Sequence, residues 1–339
     1  MNQIIIPPIG LLNLSRESKA KDLEEDDSNL YNICYINSVL QCLFRLNGFV
    51  NNIYNFYGGK LTSATIELIK KMINNNNKKE NCSASRIKEI MGEISKNYKE
   101  NEPEDAYEFI VYYLDTLVKE TLNESTPMKK RKVDDNDKIY FNQFLKKFSH
   151  KYFRETNIKN GGSFILDLFY GLLRTERYCY KCKKSFSVKF NIYNILILPV
   201  YNIGGGKKNM EKILTEYFKY SKSNNFCNIC SKPLYIKTDI FTLPKCLIIY
   251  FGINSEKSYN SYYINCEESI NMGNFVYKDS NDYNYKLKGI IYHNFIGKKG
   301  HYSASCFINN YWRYFDDNYI GLDRRSSNSM PIILFYEKI

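Results

Sequence analysis

Two C-x-x-C knuckles, Cys179-Tyr-Lys-Cys182 and Cys227-Asn-Ile-Cys230, stand 44 residues apart, and the fold must either bring them together or leave four thiols unused. One knuckle offers two sulfurs. A pair completes a tetrahedral four-thiolate site with Zn–S distances of about 2.3 Å. The segment between them is too long for a compact zinc ribbon, so it must run out and return. Phe186, Val188 and Phe190 alternate and Asn194-Ile-Leu-Ile-Leu-Pro199 reads as a strand, which predicts extended β fingers bridged by metal at their tips.

The remaining composition narrows the setting of this site. The N-terminus, MNQIIIPPIG, has no basic segment ahead of its short apolar run, so no signal peptide is read there. Ten cysteines are therefore expected to serve metal or chemistry rather than disulfides. The longest apolar runs, such as Cys246-Leu-Ile-Ile-Tyr-Phe251, are far too short to cross a bilayer, and no membrane association is expected. At 339 residues and 44% hydrophobic the chain can bury a large core, as one big domain or two ordinary ones. A net charge of +12 admits nucleic acid as a partner, but the basic residues are scattered among Asn and Tyr, with no nucleic-acid-reading motif beside them. The charge reads as a solvated surface.

The stretch 29–44 carries a different chemistry. Ile36, Val39, Leu40, Leu43 and Phe44 follow helical spacing and form one apolar stripe, with Cys34 at or just before the first turn. Unpaired N–H groups and the positive end of the helix dipole favour a thiolate at such a position, and the thiolate is the nucleophilic form. Asn29, five residues upstream, could aim its amide at an oxyanion forming beside the sulfur. Further helices are marked by Ile66, Ile69 and Ile73, and by Ile87, Ile90, Met91 and Ile94. In Asn101-Glu-Pro-Glu-Asp105-Ala-Tyr-Glu-Phe109 a cap, an early Pro and acidic residues predict another helix start.

A general base has three candidates, His150, His293 and His301. Residues 300–308 and 311–315 are strand-like, joined by Asn309-Asn310 as a two-residue hairpin turn. In that register 308 faces 311 and 303 faces 316. His301 and Asp316 then share one face as a diagonal pair about 7–8 Å apart between backbones, within reach of their side chains. A carboxylate so placed orients an imidazole. Asp317 is a second acidic candidate, and the register favours Asp316.

These strings together resemble one family. Asn29-Leu-Tyr-Asn-Ile-Cys34-Tyr-Ile-Asn-Ser-Val-Leu-Gln-Cys-Leu43 resembles the cysteine box of the ubiquitin-specific proteases, papain-like deubiquitinases whose motif reads N-L-G-N-T-C-Y-M-N-S-x-L-Q-x-L. Tyr31 and Ile33 depart from it. Gly10-Leu-Leu-Asn13-Leu14 imitates the family's G-L-x-N-L, but an acidic, polar run separates it from the box, and Asn29 keeps the five-residue distance to Cys34 that Asn13 does not. The 103–109 string PEDAYEF is similar to Q-Q-D-A-H-E-F, and GHYSASCFINNYWRYFDD to G-H-Y-x-A-Y … W-Y-x-F-D-D. Residues 164–171, 196–199, 243–250, 285–293 and 331–336 look like finger and palm segments of the same family. The usual Arg-Phe pair is replaced by Phe251-Gly-Ile253.

Over about residues 29–336 the resemblance implies a papain-like α+β cysteine peptidase. Its helical thumb would span about 29–160, zinc-linked β fingers about 161–245 and a β palm about 246–339, behind an extension at 1–28. It implies a Cys34–His301–Asp316 triad with Asn29 at the oxyanion, and a structural zinc on Cys179, Cys182, Cys227 and Cys230. Asp105 and Tyr302 would line a groove for the ubiquitin tail, Asp105 also being placed to cap its helix. The partner would be ubiquitin or ubiquitinated protein, met by a monomeric catalytic domain in the cytoplasm or, through the basic run Pro127-Met-Lys-Lys-Arg-Lys-Val133, the nucleus. Two other readings are a ubiquitin-binding chain whose departures at Tyr31 and Ile33 spoil catalysis, and a zinc-stabilised basic protein that binds nucleic acid.

Overall fold

Helix α1 (Cys34–Leu43) has no exposed face: every residue in it is buried. The predicted stripe of Ile36, Val39, Leu40, Leu43 and Phe44 points into the main core, but the opposite, polar side is covered as well. Its cover is the N-terminal segment. Asn37 donates to the carbonyls of Leu11 and Leu12, Gln41 to that of Ile9, and Arg45 to that of Ile6. Residues 37, 41 and 45 are one helical turn apart, so a single row of donors satisfies four carbonyls that would otherwise be buried without partners. Ile6, Ile9 and Leu11 are core residues, which corrects the reading of the whole of 1–28 as an extension. The computed structural model describes residues 3–13, 32–75, 81–100, 102–122, 162–200, 206–252, 262–277, 283–296, 299–322 and 330–339. The basic run at 127–133, Asn29 and Tyr31 lie outside the described residues.

Around α1 stand α2 (Asn47–Ile53), α3 (Lys60–Asn74), α4 (Ser85–Ile94), α5 (Ala106–Glu120) and the short α6 (Phe164–Phe169). The isoleucine patterns of α3 and α4 hold, except that Ile94 is exposed at the end of its helix. Helix α5 starts later than Asn101: its N-cap is Asp105, whose carboxylate accepts from the N–H groups of Tyr107 and Glu108 at 2.7 and 3.1 Å. Pro103 falls outside the helix. It biases the residue before it toward extended backbone, and Asp is among the best caps available after it.

The fingers are a four-stranded antiparallel sheet of β1 (Gly171–Cys179), β2 (Lys184–Tyr193), β5 (Ser221–Phe226) and β6 (Pro233–Thr242), ordered β2-β1-β6-β5. Strand β3 (Ile195–Pro199) leaves them to pair in parallel with β7 (Cys246–Gly252). That pair forms one side of the palm sheet. From β7 the sheet runs through β14 (Met330–Lys338), β10 (Asn284–Ile296), β11 (Lys299–Ile308) and β12 (Tyr311–Asp316) to β13 (Tyr319–Leu322). Strand β9 (Ser269–Asn271) pairs with β10, while β4 (Gly206–Lys208) and β8 (Tyr262–Ile264) form a separate parallel pair. One face of the palm, with Ile291, Tyr302, Ala304 and Cys306, packs on the helices. The other, with Ile290, Tyr292 and Leu334, joins a second core built on α7 (Met210–Phe218). This is the α+β architecture expected, with period-2 alternation dividing each central strand between two cores.

Two local features fix where α1 meets the palm. The turn between β11 and β12 is Asn309-Asn310 with φ of 48° and 68°, the type I′ geometry that holds Ile308 opposite Tyr311 in the expected register. On β10, a Cβ added at Gly289 would lie 2.8 Å from the Cys42 sulfur and 3.2 Å from its Cα. Only glycine lets the helix sit this close to the strand.

Candidate active site

Cys34 is the first residue of α1, follows the N-cap Ile33, and is 5% exposed. No side chain caps this helix, so its first-turn N–H groups remain available at the sulfur. His301, near the start of β11, sits between Cys34 and the end of β12. Its Nε2 lies 2.5 Å from Asp316 Oδ1, which leaves Nδ1 for the Cys34 sulfur on the other side of the ring. The hydrogen bond to Asp316, then that to Cys34, raise His301 to about 10 against the pull of burial. Tyr314, on the same strand, donates to the second oxygen of Asp316 at 3.4 Å.

Asp317 stays beside this pair, with a carboxylate oxygen within 4.8 Å of the His301 nitrogen and the Asp316 oxygen, but its hydrogen bonds go elsewhere. Its φ of 51° directs the carboxylate toward two amides: Asn13 donates to Oδ2 and Asn37 to Oδ1, each at 2.8 Å. Burial raises its pKa, and the two amides only partly offset this. The Asn13 side chain is fixed at both ends, because its Oδ1 also accepts the Ile33 N–H at 3.2 Å. Among the described residues, Asn13 is thus the side-chain amide hydrogen-bonded to the residue just before Cys34. The signal that could have found it was the Gly10-Leu-Leu-Asn13-Leu14 string, set aside for its distance from Cys34 in sequence.

The Tyr302 hydroxyl donates to Asp105 Oδ2 at 3.4 Å, so the two residues expected to line a groove do meet. Capping and groove lining are both open to Asp105, since Oδ1 serves the helix and Oδ2 faces Tyr302. His293, one of the three general-base candidates, is the register partner of Tyr302 on β10 and stacks on its ring at 4.3 Å and 14°. Burial holds its pKa below the ordinary range. His150 lies outside the described residues.

The fingers bring Cys179, Cys182, Cys227 and Cys230 together with all four sulfurs within 4.8 Å of one another. Cys179 and Cys230 are 3.5 Å apart, Cys182 and Cys227 3.7 Å. A tetrahedron with 2.3 Å metal–sulfur bonds has sulfurs about 3.8 Å apart, so the cluster fits a metal ion with little movement. The residue after each knuckle, Lys183 and Ser231, has positive φ, 52° and 57°. The knuckles thus turn alike. Burial opposes ionisation of Cys227, but the N–H groups of Ile229 and Cys230 outweigh it and bring the thiol down to about 7.

With this geometry in view, comparison with known proteins is decisive at the family level. The profile described as ubiquitin carboxyl-terminal hydrolase matches residues 27–336. The chain belongs to that family. It is 25% identical over 334 residues to ubiquitin carboxyl-terminal hydrolase Usp2 of Drosophila melanogaster, covering 91% of this chain and 34% of the relative. It is 25% identical over 356 residues to probable ubiquitin carboxyl-terminal hydrolase 4 of Schizosaccharomyces pombe, covering 92% and 58%. The chain thus spans between about a third and three-fifths of the length of these relatives. Its fold is similar to that of one chain in the solved structure of the SAGA DUB module Ubp8/Sgf11/Sus1/Sgf73 bound to monoubiquitin, with TM-score 0.68 at 16% identity over 95% of this chain and 72% of that one.

Two outcomes follow from the site. His301 titrates higher in the folded chain than its ordinary 6.5, so the stability it contributes is complete below about 6.5 and is lost as pH rises through about 10. In urea titrations at stepped pH, the stability advantage of wild type over His301→Ala should narrow across that window; an advantage that widens would refute the pairing. For the cysteine cluster, elemental analysis should find one metal ion per chain. Cys182→Ser with Cys230→Ser should lose it and lower the melting temperature by about 5–10 °C, the consequence of losing ligand-linked stability. Retention of metal by that double variant would mean another site.

Proposed function

We propose that the chain hydrolyses the peptide or isopeptide bond that follows the C-terminal glycine of ubiquitin, through a thioester on Cys34. The observation that carries this reading is the His301 ring held between Asp316 and a cysteine at a helix N-terminus. The Cys34 thiolate attacks the glycine carbonyl carbon, and the carbonyl oxygen becomes an oxyanion. His301 gives its proton to the leaving amine as the C–N bond breaks. Water then attacks the thioester and His301 takes one proton from it; the C–S bond breaks, the Cys34 thiolate is restored, and the carboxylic acid product gives its remaining proton to solvent. Asp316 keeps the imidazole in the orientation and tautomer that both steps need.

The oxyanion is assigned to the Cys34 backbone N–H and the Asn13 side chain. One Asn13 N–H is engaged by Asp317, and the group is held by the Ile33 N–H, so no reorganisation is needed when charge develops. Asp105 and Tyr302 line the path to the sulfur. A diglycine tail suits that path, since only glycine lets a substrate backbone come so close to the nucleophile. The four finger cysteines hold zinc, whose role is structural: it closes the finger tips and supplies no group to the reaction at Cys34.

Hydrolysis of a fluorogenic amide at the ubiquitin C-terminus tests these assignments. Wild type should turn over, and Cys34→Ala and His301→Ala should not. Asn13→Ala should lose about a hundred- to a thousand-fold in kcat with little change in KM. Asn29→Ala should cost less than Asn13→Ala, and the reverse order would move the oxyanion donor to Asn29. A folded wild type that binds ubiquitin without turnover would leave a binding protein in place of a peptidase.

A further inference from the structure

Arg45, just beyond the last turn of α1, is a cation with no anion in view. It is 6% exposed, and no carboxylate pairs with it among the described residues. Its guanidinium donates to the Ile6 carbonyl and to Gln41 Oε1 and lies 5.6 Å from the centre of the Phe315 ring. Its Nε is buried without a hydrogen-bond partner. These acceptors are neutral, and the helix C-terminus adds at most about half a charge. Arginine does not shed its proton, so a buried guanidinium needs a full negative charge nearby.

The groups facing it are two sulfurs. Cys306 of β11 lies within the field of the guanidinium, and Cys42 of α1 lies 3.9 Å from Cys306, sulfur to sulfur. Both are fully buried. Burial would push both thiols up, and at Cys42 it does, with Cys306 adding to it. At Cys306 the Cys42 S–H and the Arg45 charge outweigh burial and hold the thiol below its ordinary value. Ionisation is thus opposed at Cys42 and favoured at Cys306.

We propose that Cys306 is a buried thiolate serving as the counter-ion of Arg45, and that with Cys42 it forms an oxidisable dithiol site for peroxide, separate from Cys34. The Cys306 thiolate attacks one oxygen of hydrogen peroxide. The O–O bond breaks, hydroxide leaves and a sulfenic acid remains. The Cys42 sulfur then displaces the hydroxyl, which leaves as water with the Cys42 proton. Two electrons have passed from the sulfurs to the peroxide, and an S–S bond has formed. The sulfurs must close from 3.9 Å to about 2.05 Å. Gly289, the register partner of Cys306, already lets the helix sit close to the sheet beneath Cys42. The bond would join the helix that starts at Cys34 to the strand that carries His301.

The proposal does not depend on the peptidase reading. The full chain bearing Cys34→Ser is treated with hydrogen peroxide, free thiols are alkylated after unfolding, and the unreduced digest is weighed. Peptides containing Cys42 and Cys306 should appear joined, lighter than their sum by two hydrogens, and separate on reduction. Adding Arg45→Met should lower the joined fraction about tenfold, whereas Arg45→Lys, which keeps the charge, should not. Independently of oxidation, Cys306→Ser in the Cys34→Ser background should remove the ultraviolet absorbance of one thiolate at neutral pH. Recovery of both cysteines as free thiols, or as separately oxidised acids, from folded protein would overturn the dithiol site. An unchanged thiolate absorbance would overturn the ion pair.

Discussion

The seat of α1 between the N-terminal segment and the palm sheet is the constraint from which the rest of the site follows. On one side Gly289 removes the Cβ that would hold the helix off β10. On the other, Asn37, Gln41 and Arg45 tie the helix to four carbonyls of residues 6–12. A helix buried all round is held in position by shape on its apolar side and by directional hydrogen bonds on its polar side. Its first residue, Cys34, therefore has one location, and that location is beside His301.

Two adjacent carboxylates then divide the remaining work through backbone geometry. Asp316 ends β12 and faces the imidazole, while the positive φ of Asp317 sends its carboxylate to Asn13 and Asn37. Asn37 also donates to Leu11 and Leu12, so one residue of α1 links the helix seat, through Asp317, to the Asn13 amide. Cys34, His301 and Asn13 are thus positioned by one connected network. Loss of the N-terminal segment would disturb all three.

What could be read from the sequence was what depends on local spacing. The stripe of α1, the Asn309-Asn310 turn with the register that pairs His301 with Asp316, and the two knuckles each follow from short-range periodicity or spacing, and the structure contains all of them. What escaped depends on contacts that no local pattern encodes. Asn13 joins the site through Asp317, 304 positions away, across a run that separates it from Cys34. Gln41 and Arg45 lie off the apolar stripe of α1, and the cover of residues 6–12 is what buries them. The start of α5 moved from Asn101 to Asp105 because a cap is decided by which carboxylate reaches the first N–H groups.

The central claim is that Cys34, activated by His301, takes the C-terminus of ubiquitin. It is tested most directly by incubating the purified chain with ubiquitin whose C-terminal carboxylate is replaced by a thiol-reactive group, and locating the adduct by mass. One ubiquitin attached at Cys34, with the rate of attachment falling steeply in His301→Ala, is the predicted result. Attachment at another cysteine, or none in a folded, metal-bound chain, would contradict it.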